Sequence, residues 1–172
     1  MSSRDRESLR EFQARLADRI KAVQVQTGPA SKLGFIAGGR QWLVNLDQIN
    51  EVVTVPELTA IPWTKPWFAG VANVRGVVYG CNDLAAFLDL SEPMQHGEVR
   101  LLLVNPNLGV NAAWRIERAL GLRTAERLTR EPDDDQAPRW ELARWRDSDG
   151  SEWVEIDFNY LVALPKFLEA GL

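Results

Sequence analysis

Apolar positions along this chain recur in two different periods. Up to residue 28 the period is helical: Leu9, Phe12, Leu16, Ile20 and Val23 fall three and four apart, forming one apolar stripe over residues 3–26. Ser3 can cap such a helix, Asp5 and Glu7 suit its first turn, and Thr27-Gly28-Pro29 stops it. The stripe can pack on the rest of the chain or on a partner helix. Beyond residue 30 the runs shorten to strand length. Residues 33–37 and 41–46 flank Gly38-Gly39, and two glycines free to take positive φ predict a tight β-hairpin. Residues 47–51 read as a turn and 52–55 as a further strand.

Residues 61–90, IPWTKPWFAGVANVRGVVYGCNDLAAFLDL, carry the densest signal. Pro62 and Pro66 stiffen a loop, residues 68–74 read as a strand, and Arg75-Gly76 is a turn. Val77, Val78 and Tyr79 begin a return strand, and Asp83 can cap an apolar helix over residues 84–90. In order and spacing, Gly70, Val71, Asn73, Val74, Arg75, Gly76, Asp83 and Leu84 resemble the signature of the CheW-like chemotaxis adaptor family. The variant KPWFAGVANVRG is most similar to that family's PilI branch, which serves twitching motility by type IV pili.

The second half follows the resemblance less closely. Residues 99–104 form a buried strand and Pro106-Asn107 a turn. By residue content alone, 111–122 suits a helix as well as a strand; the resemblance favours a strand. Where the family carries a Val-Asp pair this chain has Trp114-Arg115, which reads as an altered surface. Residues 130–138, with three aspartates between two prolines, form a solvated loop. Residues 140–146 and 152–158 flank a second hairpin turn, and a short C-terminal helix follows.

Composition narrows the function. Twenty basic against 24 acidic residues give a net charge of −4, no field for holding a polyanion. Arg115, Arg118, Arg123, Arg127 and Arg130 cluster, but Glu117, Glu126 and Glu131 dilute them, against a nucleic-acid-binding barrel. The one cysteine, Cys81, cannot form an internal disulfide, and the one histidine, His96, sits in a polar connector. No Cys/His metal set, no nucleophile–base pair and no phosphate-binding loop is visible. A small hydrolase would need a cleft with two buried carboxylates. No apolar run is long enough to span a bilayer, and the charged N-terminus does not resemble a signal peptide, which predicts a cytoplasmic protein.

The resemblance implies a mainly β fold: a pair of small five-stranded barrels and a C-terminal helix, here with an extra N-terminal amphipathic helix. Residues 1–28 would be that extension and 30–172 the CheW-like domain, with 30–90 mostly the first barrel and 98–172 mostly the second. It also implies a non-catalytic adaptor without cofactor or metal. Its partners would be the regulatory domain of a CheA-type histidine kinase and the cytoplasmic tip of a methyl-accepting chemoreceptor, at membrane-associated receptor arrays. Arg75 is expected to pair with Glu51 and brace its turn. Val71, Asn73, Val74, Gly76 and Val77 complete the signature. Of the seven tryptophans, Trp42, Trp114, Trp140 and Trp153 fall in expected strands and read as core. Trp63 and Trp67 lie in the proline-bounded loop, where packing and partner anchoring are equally open.

Overall fold

The computed structural model describes residues 31–90 and 98–172. The expected helix over 3–26 and the connector holding His96 lie outside the described residues. Among the described residues, eleven strands form two sheets. The first hairpin joins β1 (Lys32–Ala37) to β2 (Arg40–Asn45) through Gly38 and Gly39, at φ 58° and 69°. A single 3₁₀ turn leads into β3 (Ile49–Thr54), which starts three residues earlier than its apolar run suggests. β4 (Phe68–Val74) and β5 (Val77–Asp83) form the signature hairpin. Helix α1 (Leu84–Phe87) follows, then β6 (Arg100–Val104) and β7 (Ala112–Ile116). β8 (Arg118–Arg123), β9 (Leu128–Arg130), β10 (Glu141–Asp147) and β11 (Glu152–Ile156) precede α2 (Phe158–Ala163) and α3 (Pro165–Leu168). The stretch 111–122 is therefore covered by strands at 112–116 and 118–123, and Phe158 opens a helix instead of ending a strand.

The sheets do not follow the two halves of the chain. One has the order β8-β1-β2-β11-β10-β9 and the other β3-β6-β7-β5-β4. The N-terminal hairpin thus belongs with the last four strands, and β6 and β7 complete the sheet begun by β3. An isolated hairpin cannot bury both its faces. Here β8 takes the outer edge of β1, while β11 runs parallel to β2, with Trp42 opposite Val154. The count of six in the first sheet arises because one bent strand is broken by a 3₁₀ turn at Ala125–Arg127: β8 pairs with β1 and β9 with β10. The second sheet curls similarly, since Thr59, beyond β3, exchanges two backbone hydrogen bonds with Val71 of β4 at 2.8 and 2.9 Å.

Strand alternation sorts the interior into three apolar clusters. Trp42, Val44, Leu102, Val104 and Trp114 face the space between the sheets, closed by Phe87, Phe158 and Leu161 from the helices. On opposite faces of the same strands, Leu101 and Leu103 join Tyr79 and Cys81 inside one sheet, and Leu43 joins Leu128 and Trp153 inside the other. β2 and β6 are buried on both faces, which is why their sequences read as continuous apolar runs. α1 ends earlier than its sequence suggests. Asp89 takes φ 57°, and Leu90 N–H and Asp89 N–H return to the carbonyls of Ala85 and Ala86, a Schellman closure.

Candidate functional site

The signature hairpin lies at one edge of the second sheet, and its glycines, Asn73 and Asp83 each have a mechanical task. Gly70, at φ 129°, lies against the carbonyl of Thr59, which a Cβ there would overlap. Only glycine lets the loop close onto Val71. At the tip, Arg75 and Gly76 hold φ 52° and 87°, and the Asn73 Oδ1 accepts the Gly76 N–H at 2.8 Å. Two positive φ values make a two-residue turn whose twist matches the strands. Asp83 caps α1, its Oδ1 accepting from Ala86 N–H at 2.9 Å, and Leu84 is wholly buried.

Arg75 does pair with Glu51. Glu51 lies on β3 and Arg75 between β4 and β5, so the ion pair spans the two edges of the sheet. The hydrogen bond to Glu51, reinforced by its negative charge, raises the Arg75 guanidinium above its ordinary pKa. The pair is exposed, with the Arg75 side chain 68% accessible. Water screens it, so it orients the turn more than it stabilises the fold. Val71 and Val74 are half-buried, whereas Val77 and Val78 face outward at 42% and 55% exposure. As neighbours on β5, these two valines point to opposite faces of the hairpin end, on either side of the oriented arginine. Val78 was not singled out as a site residue in the sequence, although its position two residues after the turn, next to Val77, is the signal.

Trp42, Trp114 and Trp153 are buried, as their strand positions led us to expect, whereas the two loop tryptophans part. Trp67 is buried, its ring edge-on to Phe87 at 5.0 Å and stacked on Phe167 at 6.3 Å, so it is core and no partner anchor. Trp63 is 81% exposed. Trp114 is fully buried between the sheets, against Phe87, Phe158 and Phe167, which corrects its reading as altered surface. It faces inward because strand alternation puts it on the same side as Ile116. Arg115, its neighbour, faces the other way and is half-buried 4.0 Å from Asp83, its register partner across β5–β7. Trp140 precedes β10 and packs on Trp42 at 5.8 Å.

A polar cluster went unread in the sequence. Lys32 Nζ donates to Glu155 at 2.7 Å and to Asn45 at 2.6 Å, and Trp145 Nε1 donates to the other Glu155 oxygen at 2.8 Å. These four residues tie β1, β2, β10 and β11 together. The signal was the alternation of Trp153 and Glu155, which turns a charge inward. As for acid chemistry, the cleft along residues 132–144 has Asp134 and Glu141 in its lining, and both pair with Arg144. That cleft holds no pair of free buried acids. Among the described residues no group of His, Cys, Asp and Glu is arranged to hold a metal, and no helix is long and apolar enough to cross a membrane.

Comparison with known proteins fits this geometry. Protein PilI of Pseudomonas aeruginosa is 33% identical over 109 residues, 63% of this chain and 61% of that protein. Chemotaxis protein CheW of Bacillus subtilis is 25% identical over 97 residues, 56% of this chain and 61% of that protein. The match thus spans about three fifths of either relative. The crystal structure of the scaffolding protein TtCheW from Thermoanaerobacter tengcongensis shares the fold. It aligns with a TM-score of 0.67 at 17% identity, over 81% of this chain and 91% of that one. The CheW-like domain family matches residues 32–164, the whole of the two-sheet unit through α2, and the chain belongs to that family.

Proposed function

We propose that this protein is a non-catalytic adaptor of a chemosensory system, coupling the cytoplasmic tip of a chemoreceptor to the regulatory domain of a CheA-type histidine kinase. The observation that carries the reading is the intact signature hairpin. Its arginine is oriented by Glu51, and Val77 and Val78 stand exposed beside it. Binding is the whole mechanism: a rigid two-sheet body holds kinase and receptor in one geometry, so that receptor conformation biases autophosphorylation. The protein would act in the cytoplasm, at receptor arrays on the membrane.

Within that role, type IV pilus-based motility is favoured over flagellar swimming. The motif KPWFAGVANVRG resembles the twitching-motility branch, and identity to PilI exceeds identity to the Bacillus CheW. Titration calorimetry with a purified kinase regulatory domain and a receptor-tip fragment tests the coupling. Wild-type chain should bind at least one of them. Val77→Asp/Val78→Asp should weaken that binding by about tenfold or more, since two charges enter an apolar contact, with the melting temperature unchanged. Absence of binding to both fragments would refute the adaptor reading. Pilus and flagellar roles are separated by whether a pilus-type or a flagellar-type kinase co-purifies.

A further inference from the structure

Among the described residues, three that are not glycine hold a positive φ: Trp63, Arg75 and Asp89. Arg75 lies at the tip of the signature hairpin and is held by Glu51. Trp63, at φ 59°, and Asp89, at φ 57°, stand near the two ends of the run 61–90. Both are gripped by the same short segment, residues 165–172. At one end Leu172 N–H donates to the Trp63 carbonyl at 2.7 Å, and Lys65 N–H to the Ala170 carbonyl at 2.8 Å. At the other, Lys166 Nζ donates to the Phe87 carbonyl at 2.5 Å and to the Asp89 carboxylate at 3.0 Å. Between these grips the Phe167 ring stacks on Trp67 at 6.3 Å and meets Phe87 edge-on at 6.1 Å. Left-handed backbone disfavours residues with a side chain, bulky ones most, and persists only where its surroundings hold it.

We propose that residues 165–172 are a clamp, closing on both ends of the signature run as one unit and fixing how its hairpin is seated. The clamped loop reaches the hairpin directly: Asp83 N–H, at the base of β5, donates to the Trp67 carbonyl at 2.7 Å. The same Asp83 caps α1, whose far end Lys166 holds. One segment thus touches both the entry to β4 and the exit from α1. Apart from Phe167, the grips are light. The Lys166 side chain is 42% accessible and that of Asp89 85%, so water screens their attraction. Light grips set against strained backbone make docking a local equilibrium, opening more easily than the fold as a whole. The family match stops at residue 164, so the clamp lies outside the family-matched residues. Its effect on partners rests on the adaptor role proposed above; the clamp itself does not.

Hydrogen exchange of the full chain alone, read amide by amide, tests the clamp without any partner. Lys65 N–H and Leu90 N–H, bonded to the carbonyls of Ala170 and Ala85, report its two ends, and Asp83 N–H reports the hairpin seat. Lys166→Met keeps an aliphatic stem over the Phe87 ring and removes the cation. It should speed exchange at all three amides by about threefold or more, leaving those of β6 unchanged. Trp63→Asn should slow all three by a similar factor. Asparagine takes left-handed φ readily, and Trp63, mostly exposed, gives up little contact. An effect confined to the mutated end, or faster exchange in Trp63→Asn, overturns the clamp. Titration calorimetry with the kinase and receptor fragments reads its effect on partners. Lys166→Met/Leu172→Pro, which loosens both ends, should bind about threefold or more weakly than wild type. Equal affinity overturns the clamp's hold on the contact surface. A wild-type chain that binds neither fragment refutes the adaptor role instead, and the exchange rates alone then decide the clamp.

Discussion

Replacing Trp114 with alanine should cost stability and leave the partner surface intact. The indole is fully buried, with its ring centroid 5.2 Å from Phe87, 5.6 Å from Phe167 and 5.8 Å from Phe158. Its neighbours are fixed by three helices and a central strand, so the space cannot collapse after truncation. Such a cavity costs about 3–5 kcal/mol, a large part of the ~5–15 kcal/mol that holds a domain of this kind together. At roughly 2–4 °C per kcal/mol, the melting temperature should fall by about 6–20 °C. Trp114→Phe makes the finer test. The indole Nε1 is buried without a hydrogen-bond partner. Phenylalanine gives up apolar contact but also removes that unmet donor, itself a burden of about 1–3 kcal/mol. Its net cost should stay below about 1.5 kcal/mol. Urea unfolding followed by circular dichroism gives both values, and calorimetry well below the transition should show partner affinity unchanged. An alanine variant melting within about 2 °C of wild type, or a phenylalanine variant as damaged as the alanine one, would refute the placement of this side chain.

Other positions give further tests. Lys32→Ala should cost about 3–5 kcal/mol in urea unfolding by leaving Glu155 buried without its cation, while Lys32→Met/Glu155→Leu should recover most of that loss. Gly70→Ala should destabilise the chain strongly in the same assay, because the added methyl overlaps the Thr59 carbonyl and opens the loop from Val71. A double-mutant cycle of Arg75→Ala and Glu51→Ala should show coupling of at most about 1 kcal/mol that weakens as salt is added, as an exposed contact pair requires. Burial pushes the Cys81 thiol up to about 11. A thiol reagent at pH 8 should leave it unmodified until the chain unfolds. Because its folded pKa lies above the ordinary 9.0, the protonated thiol favours folding below pH 9, and that contribution should disappear between pH 9 and 11 in an alkaline melting series.

Local chemistry was legible in the sequence wherever a few neighbouring residues settle the conformation. Gly38-Gly39 and Arg75-Gly76 mark two-residue turns because their glycines accept the positive φ those turns require, and the apolar runs beside them become β1, β2, β4 and β5. Asp83 announced the start of α1, but the left-handed turn at Asp89 that ends the helix early carries no such mark. The Arg75–Glu51 pair was readable only through the family resemblance, since 24 residues separate the two. Tertiary structure decided the rest. Trp63 and Trp67 stand four residues apart in one loop with similar surroundings. One is core because Phe87 and Phe167 close over it from distant helices, and the other is surface because its backbone is pinned outward by the C-terminal segment. The same holds for the partition of strands between sheets. β2 is apolar on both faces wherever it is placed, and nothing near it says that β11 will be its parallel neighbour. Turns and caps are short-range constraints written in adjacent residues, whereas burial is a property of which distant surfaces meet, and only the folded chain brings those surfaces together.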